Sequence, residues 1–145
     1  MIIKKLSMDE IPQLIELHNE LMSGYAENDV QTTQKIYQEI VDNDNYLVLV
    51  AKENDKIIGT ATGVCCKILA FAGKNFLVVE DVIVAESAKR KGVGRGLFEA
   101  LDSFAAEKNC AYAILCSSAS RNEAHPFYEK MGYTDHVRGF RKMYQ

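Results

Sequence analysis

VIVAESAKRKGVGRGLFEAL, residues 82–101, is the stretch that decides the fold. It leaves an apolar strand, passes through three consecutive cations and enters a helix with glycine at every second position, Gly92, Gly94 and Gly96. Backbone N–H groups at a helix start have no partner inside the helix, and together with the helix dipole they favour an anion. The stretch therefore predicts a strand, a loop and a helix that bind a phosphate, with a solvated surface turn as the alternative.

Two common phosphate-binding loops do not fit this stretch. A Walker A loop requires Gly-Lys-Ser or Gly-Lys-Thr after a glycine and four residues, and that spelling is absent. A dinucleotide-binding fingerprint needs a glycine where Leu97 stands and a turn directly after the strand, whereas AESAKRK intervenes here. The phosphate group that the loop would bind is therefore not identified by either motif.

Composition limits the partners. The chain has 145 residues, 48% of them hydrophobic and 26% charged, which predicts one domain over residues 1–145 with an ordinary core. The net charge of −3 makes affinity for phosphate a local property of residues 89–91. No aromatic residues are interleaved with those cations, so we expect no nucleic-acid partner.

The lack of an apparent targeting segment and the spacing of the cysteines exclude further classes of protein. The N-terminal sequence has no apolar run typical of a signal peptide, and no run is long enough for a membrane span, so we expect a cytoplasmic protein without a membrane partner. The four cysteines, Cys65, Cys66, Cys110 and Cys116, lack zinc-site spacing, and no metal is expected. We expect buried, reduced thiols on strands, with Cys116 as the one that can lie near a site at a strand end.

Periodicity predicts a mixed α/β sheet with helices on both faces. In the first helix, Pro12 favours Asp9 as the N-cap over the alternative of Ser7 in a capping box with Glu10. Gly132 is predicted to close the last helix. The predicted strands are residues 2–6, 46–53, 56–68, 76–84, a buried 110–116 and one or two strands within 133–144; the predicted helices are 7–22, 32–43, one after the glycine loop and 122–132.

The same residues resemble a known family. VIVAESAKRKGVGRGLFEAL is similar to motif A of the GNAT acetyltransferase superfamily, whose core spelling is Gln/Arg-x-x-Gly-x-Gly/Ala after a strand. Lys89 stands at the Gln/Arg position, which keeps the charge but not the amide or guanidinium. NEAHPFYEKMGY, residues 122–133, is similar to motif B, and the order of elements matches along essentially the whole chain. The resemblance implies the GNAT fold, a mixed, mostly antiparallel twisted sheet flanked by helices on both faces.

The resemblance also implies acetyl-CoA as the acetyl donor. Its pyrophosphate is expected on the amides of residues 92–96, and its pantetheine arm along residues 82–84, where an extended ligand can pair with free main-chain groups. Asn122 is expected to meet the cofactor near that arm. The expected cofactor-binding residues are Val82, Ile83, Val84, Lys89, Arg90, Lys91, Gly92, Val93, Gly94, Arg95, Gly96, Asn122, Phe127 and Tyr128.

Acetyl transfer to an amine requires a neutral nucleophile, a stabilised oxyanion and a protonated leaving thiolate. The resemblance assigns the acid to Tyr128, the tyrosine of motif B, and the alternative is a tyrosine that packs beside Phe127. Glu80 and Asp81 are the candidate bases, because two carboxylates inside an apolar strand are costly unless they serve a site. Alternation along a strand predicts that they point to opposite faces, and we favour Glu80, acting through water, on the side of Val82 and Val84.

These residues predict an N-acetyltransferase that transfers the acetyl group to a primary amine of a small molecule by direct attack, without a covalent acyl-enzyme. The alternative is a non-catalytic module that binds or senses acyl-CoA. VEDVIV, residues 79–84, is similar to glucosamine-phosphate N-acetyltransferases of the superfamily, in which the acidic pair addresses the sugar.

The acceptor and the assembly stay open. An amino-sugar phosphate would need a second basic patch, for which Arg138, Arg141 and Lys142 are the candidates; a polyamine, an aminoglycoside or a peptide N-terminus would want acidic loops. Glu27 and Asp29 can serve as such a loop or be merely solvated. Residues 133–144 can form a homodimer or complete the sheet of their own chain. Of the histidines, His125 is expected to be an exposed helix residue, and His18 and His136 receive no role.

Overall fold

Five strands form one sheet in the order in which they occur along the chain, in a computed structural model that describes residues 1–21 and 27–144. β1 to β4 pair antiparallel, and β5 joins β4 in parallel. The predicted mixed, mostly antiparallel sheet is therefore confirmed. The elements are β1 Ile2–Lys5, α1 Ile11–Leu21, α2 Val30–Ile40, β2 Tyr46–Glu53, β3 Lys56–Lys67, β4 Asn75–Val84, α3 Val93–Glu107, β5 Cys110–Ile114 and α4 His125–Lys130.

Alternating residues of β3 show which helices cover each face. A Cβ on Gly59 would meet Val93 and Leu97 of α3, so α3 packs on that face. Thr60, the next residue, lines a cavity with residues of α1 and α2 on the opposite face. Helices on both faces were predicted, and the sheet consequently buries side chains on both sides. The largest fully buried side chains are Phe98, Ile11, Leu77, Leu97, Leu101, Val50, Val79 and Val93.

The β2–β3 connection is the tight turn that the polar sequence predicted. Asn54 and Asp55 both have positive φ, at 49° and 61°. Two consecutive left-handed residues are typical of a type I′ hairpin, and asparagine and aspartate tolerate that conformation better than other non-glycine residues. The turn fixes the register of the two central strands.

The chain enters α1 differently from the prediction. A 3-10 turn, Met8–Glu10, begins at Ser7 and runs into α1, so Asp9 is not the N-cap. The N–H of Ser7 donates to the carboxylate of Glu10 at 2.9 Å. Pro12 is then the second residue of α1, within the first turn, where a proline is tolerated. Ser7 is therefore the N-cap, because the 3-10 turn moves Pro12 to a position that needs no N–H.

Two further predictions fail at the far edge of the sheet. β5 is an edge strand rather than a buried one, and Ala111 and Tyr112 are exposed. Residues 134–144 form neither helix nor strand, although strands were predicted there. A sequence segment can suit an extended backbone, but it does not supply the neighbouring strand that a sheet requires. In the described residues, no helix is long and apolar enough to cross a membrane.

Candidate active site

β4 carries a bulge at its two carboxylates. Thr62 of β3 pairs with Glu80, whereas Thr60 pairs with Ile83, so Ala61 alone faces both Asp81 and Val82. Asp81 takes a left-handed backbone with φ of 52°, which is unusual for a non-glycine residue. The bulge therefore interrupts the regular pairing of β3 and β4 at the two carboxylates.

The bulge reverses two predictions about the acidic pair. Glu80 and Asp81 both line one cavity on the face covered by α1 and α2, so they do not point to opposite faces. Val84 pairs with Gly59, whose missing side chain faces α3, and Glu80 therefore does not share its side with Val84. The extra residue shifts the alternation by one position. Both carboxylates are exposed and can act on one ligand.

The pairing of β4 with β5 ends next to this bulge. Their parallel pairing runs from Asn75 with Cys110 to Val78 with Ile114 and goes no further. Beyond Val78, β4 continues to Val84 and offers that edge to no strand of the described residues. An extended ligand can bind such main-chain groups by adding itself to the sheet. The predicted pantetheine segment, Val82, Ile83 and Val84, lies in this free portion of β4.

The N-terminus of α3 presents free amides. Gly92 caps the helix with φ of 80°, and a Cβ there would meet nothing within 4 Å. The first bond of the helix runs from the N–H of Gly96 to the carbonyl of Gly92 at 3.0 Å, so the N–H groups of Val93, Gly94 and Arg95 have no partner within the helix. The 15-residue helix adds its dipole at the same point. This geometry suits the phosphate site that the sequence predicted.

The four cations of the loop are not equivalent. Lys89 pairs with Glu86 at 2.6 Å, and Arg95 pairs with Glu99 at 2.8 Å. Arg90 and Lys91 are exposed, and neither has an acidic partner within 4.0 Å in the described part of the chain. Arg90 and Lys91 therefore supply the positive charge that is free to meet an anion.

Close packing around α3 also favours glycine at positions 94 and 96. A Cβ on Gly94 would lie 2.9 Å from the ring of Phe127, and one on Gly96 would lie 3.3 Å from Ile3 of β1. The absence of side chains lets α4 and β1 approach the first turn of α3. Phe127 thereby brings α4 into direct contact with the first turn of α3.

Tyr128 lies within an aromatic cluster. Its ring is 5.9 Å from Phe98, 5.5 Å from Phe127 and 6.4 Å from Tyr133, measured between centroids. Burial raises the pKa of Tyr128, and the positive charge of Arg121 offsets part of that rise. The phenol therefore keeps its proton at neutral pH, as a general acid must. Asn122 is exposed in the turn before α4.

The cavity on the other face has a volume of about 310 Å³. Apolar side chains from α1, α2 and β2 form most of its wall, and its polar lining includes His18, Thr33, Thr60, Thr62, Glu80 and Asp81. No lysine or arginine is among its described lining residues. A small molecule with a cationic group fits such a wall. A separate depression of about 330 Å³, between α1 and the β2–β3 turn, contains none of the predicted site residues.

His18 is the site residue that the sequence did not indicate. It lies on α1, half-buried, and lines the cavity together with Glu80 and Asp81. Burial lowers the pKa of His18, and the charge of Asp81 offsets part of that effect. No local pattern reveals the contact, because the two residues belong to distant segments of the chain.

The other candidates have structural partners. Asp29 is the N-cap of α2 and accepts from the N–H of Thr32 at 2.8 Å, while Glu27 is exposed. His125 contacts the carbonyl of Ser118 at 3.1 Å, and His136 lies 3.5 Å from Glu129.

The cysteine thiols are less buried than the sequence predicted. All four cysteines are free, but only Cys65 is buried, and Cys116 is exposed beyond β5. Burial and the neighbouring Cys65 raise the pKa of Cys110 to about 11. No cluster that could hold a metal ion occurs among the described residues.

Comparison with known proteins identifies the class. Residues 11–133 match the model of the acetyltransferase (GNAT) family, and the chain belongs to that family. The glucosamine 6-phosphate N-acetyltransferase of Trypanosoma brucei brucei is 33% identical over 86 residues, which are 59% of this chain and 56% of that protein.

Solved structures share the fold over nearly the whole chain. A putative acetyltransferase from Agrobacterium tumefaciens str. C58 has a TM-score of 0.91 at 24% identity and covers 99% of both chains. The glucosamine-6-phosphate N-acetyltransferase of Arabidopsis thaliana has a TM-score of 0.89 at 23% identity and covers 99% of this chain and 98% of its own. These TM-scores show that the three proteins share one fold.

Proposed function

We propose that this protein is an acetyl-CoA-dependent N-acetyltransferase that acts on a primary amine of a small molecule by direct attack, without a covalent acyl-enzyme. One observation supports this most strongly. β4 and β5 separate after Val78, between an anion-binding helix start on one face and an acidic cavity on the other. A gap between β4 and β5 beyond Val78 would let a donor and an acceptor approach each other from opposite faces of the sheet.

The residues of this chain fit the donor. The free N–H groups at the start of α3 and the unpaired Arg90 and Lys91 would hold its pyrophosphate, and residues 82–84 would pair with its extended amide arm. When bound, acetyl-CoA supplies an activated thioester. Tyr128 keeps its phenolic proton at neutral pH and would give it to the departing sulfur.

The acidic cavity would take the acceptor. Glu80 and Asp81 attract a protonated amine, and the apolar wall takes the rest of the molecule. Arg138, Arg141 and Lys142 lie in the exposed C-terminal segment, and none lines the cavity of its own chain. The charge of the lining favours a polyamine or an aminoglycoside over an amino-sugar phosphate, which is the substrate named for the Trypanosoma brucei relative.

Release of coenzyme A thiol over a panel of spermidine, kanamycin and glucosamine 6-phosphate tests this function. We expect transfer to at least one cationic amine, and a large loss of turnover in Tyr128→Phe. Calorimetry with coenzyme A is the companion measurement. Tight binding without turnover on any amine would favour the non-catalytic acyl-CoA-binding module instead.

We also propose that two copies associate through residues 133–144. This segment forms neither helix nor strand in the described residues and exposes four large apolar side chains. β5 is an edge strand of the sheet, and free edges favour pairing with another chain. Sedimentation equilibrium of the wild type and of Phe140→Asp is the test: a dimer is expected only for the wild type, and a wild-type monomer at all concentrations contradicts the proposal. The exposed side chains are Val137, Phe140, Met143 and Tyr144.

A further inference from the structure

The helix that carries Tyr128 has few contacts of its own to hold it in place. α4 spans only six residues, His125–Lys130, and none of them is buried. Its N-cap is Ala124, whose side chain makes no capping hydrogen bond. A helix this short is not stable without contacts from the rest of the protein, so the position of Tyr128 must be set from outside α4.

The residues that follow α4 supply such contacts through the main chain. Gly132 has a φ of 96°, and its N–H donates to the carbonyl of Glu129 at 3.0 Å. The N–H of Tyr133 donates to the carbonyl of Tyr128, also at 3.0 Å. With Met131 as the C-cap, these two bonds form a Schellman motif, in which Tyr128 is the third-last residue of the helix. Gly132 thus closes α4, as the sequence predicted.

The side chain of Tyr133 packs on the residue whose carbonyl its N–H binds. The rings of Tyr133 and Tyr128 are 6.4 Å apart between centroids and are inclined at 67° to each other. An apolar contact of this kind often accompanies a Schellman motif. Phe98, which is fully buried on α3, lies 5.6 Å from the ring of Tyr133 and 5.9 Å from that of Tyr128. Tyr133 therefore helps to hold Tyr128 against the core of the domain.

The charges near the two tyrosines distinguish their roles. Burial raises the pKa of both phenols, and the nearby Asp102 and Tyr128 raise that of Tyr133 further, to about 12. At Tyr128, the positive charge of Arg121 offsets part of the rise. A negative neighbour makes a phenol a weaker acid, and a positive neighbour makes it a stronger one. These charges favour Tyr128 as the proton donor and leave Tyr133 to position it.

We propose that Gly132 and Tyr133 are positioning residues for Tyr128: the glycine turns the chain back, and the N–H and ring of Tyr133 hold the phenol in one orientation. This role rests on the proposed acetyl-transfer function. Orientation matters because a general acid must lie within hydrogen-bond reach of the atom that it protonates. A displacement of about 1 Å can lower the rate of an enzyme about 100-fold.

Gly132→Ala tests the turn with the amine of the panel that is transferred fastest. A Cβ on Gly132 would meet nothing within 4 Å, so alanine disturbs only the left-handed backbone. Gly73→Ala is the matched control, because Gly73 also has a positive φ, 85°, and open space around its Cβ, but lies in the loop between β3 and β4.

The two alanine variants should differ in turnover. We expect kcat per folded molecule to fall about tenfold in Gly132→Ala and to stay within about twofold of the wild type in Gly73→Ala. Gly132→Asn should recover most of the loss, since asparagine tolerates a left-handed backbone better than alanine does. The same kcat in both alanine variants overturns the proposal.

Substitutions at Tyr133 separate its ring from its hydroxyl. Tyr133→Phe should keep kcat within about threefold, whereas Tyr133→Ala should lower it about tenfold or more. Calorimetry should find the coenzyme A affinity within about twofold of the wild type in both, because the phosphates are expected at α3. Full kcat in Tyr133→Ala, or a loss of affinity that matches the loss of kcat, contradicts the positioning role. If Tyr133→Ala does not fold, the glycine variants decide.

Ring ¹H spectra at neutral pH add a readout that needs no turnover. The Tyr128 signals are assigned by their loss in Tyr128→Phe. Gly132→Ala should move them, because it keeps every ring of the cluster but disturbs the turn that orients Tyr128, and Gly73→Ala should not. If the wild type acetylates nothing, the proposed function fails, and these spectra still decide the positioning role: unmoved Tyr128 signals in Gly132→Ala overturn it.

Discussion

The ring of Phe127 occupies the space that a side chain on Gly94 would need, because a Cβ there would lie 2.9 Å from its Cζ atom. The contact joins the first turn of α3, where the anion is expected, to α4, which carries Tyr128. Under the proposed function, this contact would link donor binding at the start of α3 to the position of Tyr128 on α4.

Gly94→Ala should lower kcat/KM about tenfold or more while changing stability little. Alanine is a better helix former than glycine by about 1 kcal/mol, and this gain offsets part of the clash with Phe127. The displaced ring moves Tyr128. Gly96→Ala is the matched control, since its Cβ would lie 3.3 Å from a flexible atom of Ile3. Steady-state kinetics of both variants and of Gly94→Ala/Phe127→Leu check this; a double variant no better than the single one would count against the link.

Arg90→Gln and Lys91→Gln should each weaken coenzyme A binding about fivefold to tenfold, because each removes an unpaired charge worth about 1 kcal/mol at the anion site. Arg95→Gln should weaken it less, since Arg95 is already held by Glu99. Calorimetry at two salt concentrations measures the effect, with Lys74→Gln as the control for lost surface charge. Equal losses at residues 90, 91 and 95 would show that the ion pairs do not decide which cations serve the anion.

Glu10 should make the fold sensitive to acid. Burial alone would raise the pKa of Glu10, but hydrogen bonds from Lys4, Lys52 and the N–H of Ser7 lower it to about 2. The carboxyl has a lower pKa folded than unfolded, so it stabilises the protein above pH 4.5, and that contribution is lost as the pH falls toward 2. It amounts to about 3 kcal/mol at neutral pH.

Glu10→Gln should therefore lose about that much stability at pH 7, since it leaves two lysines around a buried neutral group, and should show a flatter decline below pH 4.5. Urea unfolding between pH 2 and pH 7 measures this. Glu39→Gln, which changes an exposed carboxylate on α2, should track the wild type. Parallel curves for Glu10→Gln and the wild type would contradict the predicted linkage.

Tyr128→Phe should lower kcat about 100-fold and leave the coenzyme A affinity within about twofold, because the phenol is needed for proton transfer rather than for binding. Burial raises the pKa of Tyr128 above its ordinary value of 10, so as an acid it imposes no loss of activity on raising the pH until beyond that value. Tyr112→Phe on the exposed edge strand is the control. A full kcat in Tyr128→Phe would assign the tyrosine to packing alone.

The sequence was informative where a pattern is local. Residues 76–84 and 93–107 carry the strand and helix that their sequence pattern predicts, and the helix begins directly after Gly92. The mostly antiparallel sheet follows from short turns such as Asn54–Asp55. These features depend on neighbours in the chain.

The candidate site could be predicted less well from the sequence, because the features that define it depend on contacts between distant segments of the chain. The bulge at Asp81 depends on pairing two residues of β4 with Ala61 of β3, and alternation within β4 alone predicts the wrong faces for Glu80 and Asp81. His18 lines the same cavity as Asp81 only because α1 packs against β4 in the fold. The prediction of C-terminal strands failed for the same reason, since residues 134–144 have no partner strand in the described residues.

The single extra residue at Asp81 divides β4 into two halves of opposite phase. In the first half, Val78 shares the orientation of Glu80; in the second, Ile83 takes it over. Deleting Asp81 would restore a regular ladder with Ile83 still opposite Thr60, and it would remove one of the two carboxylates from the cavity. The irregularity is therefore what allows two consecutive carboxylates to line the same cavity.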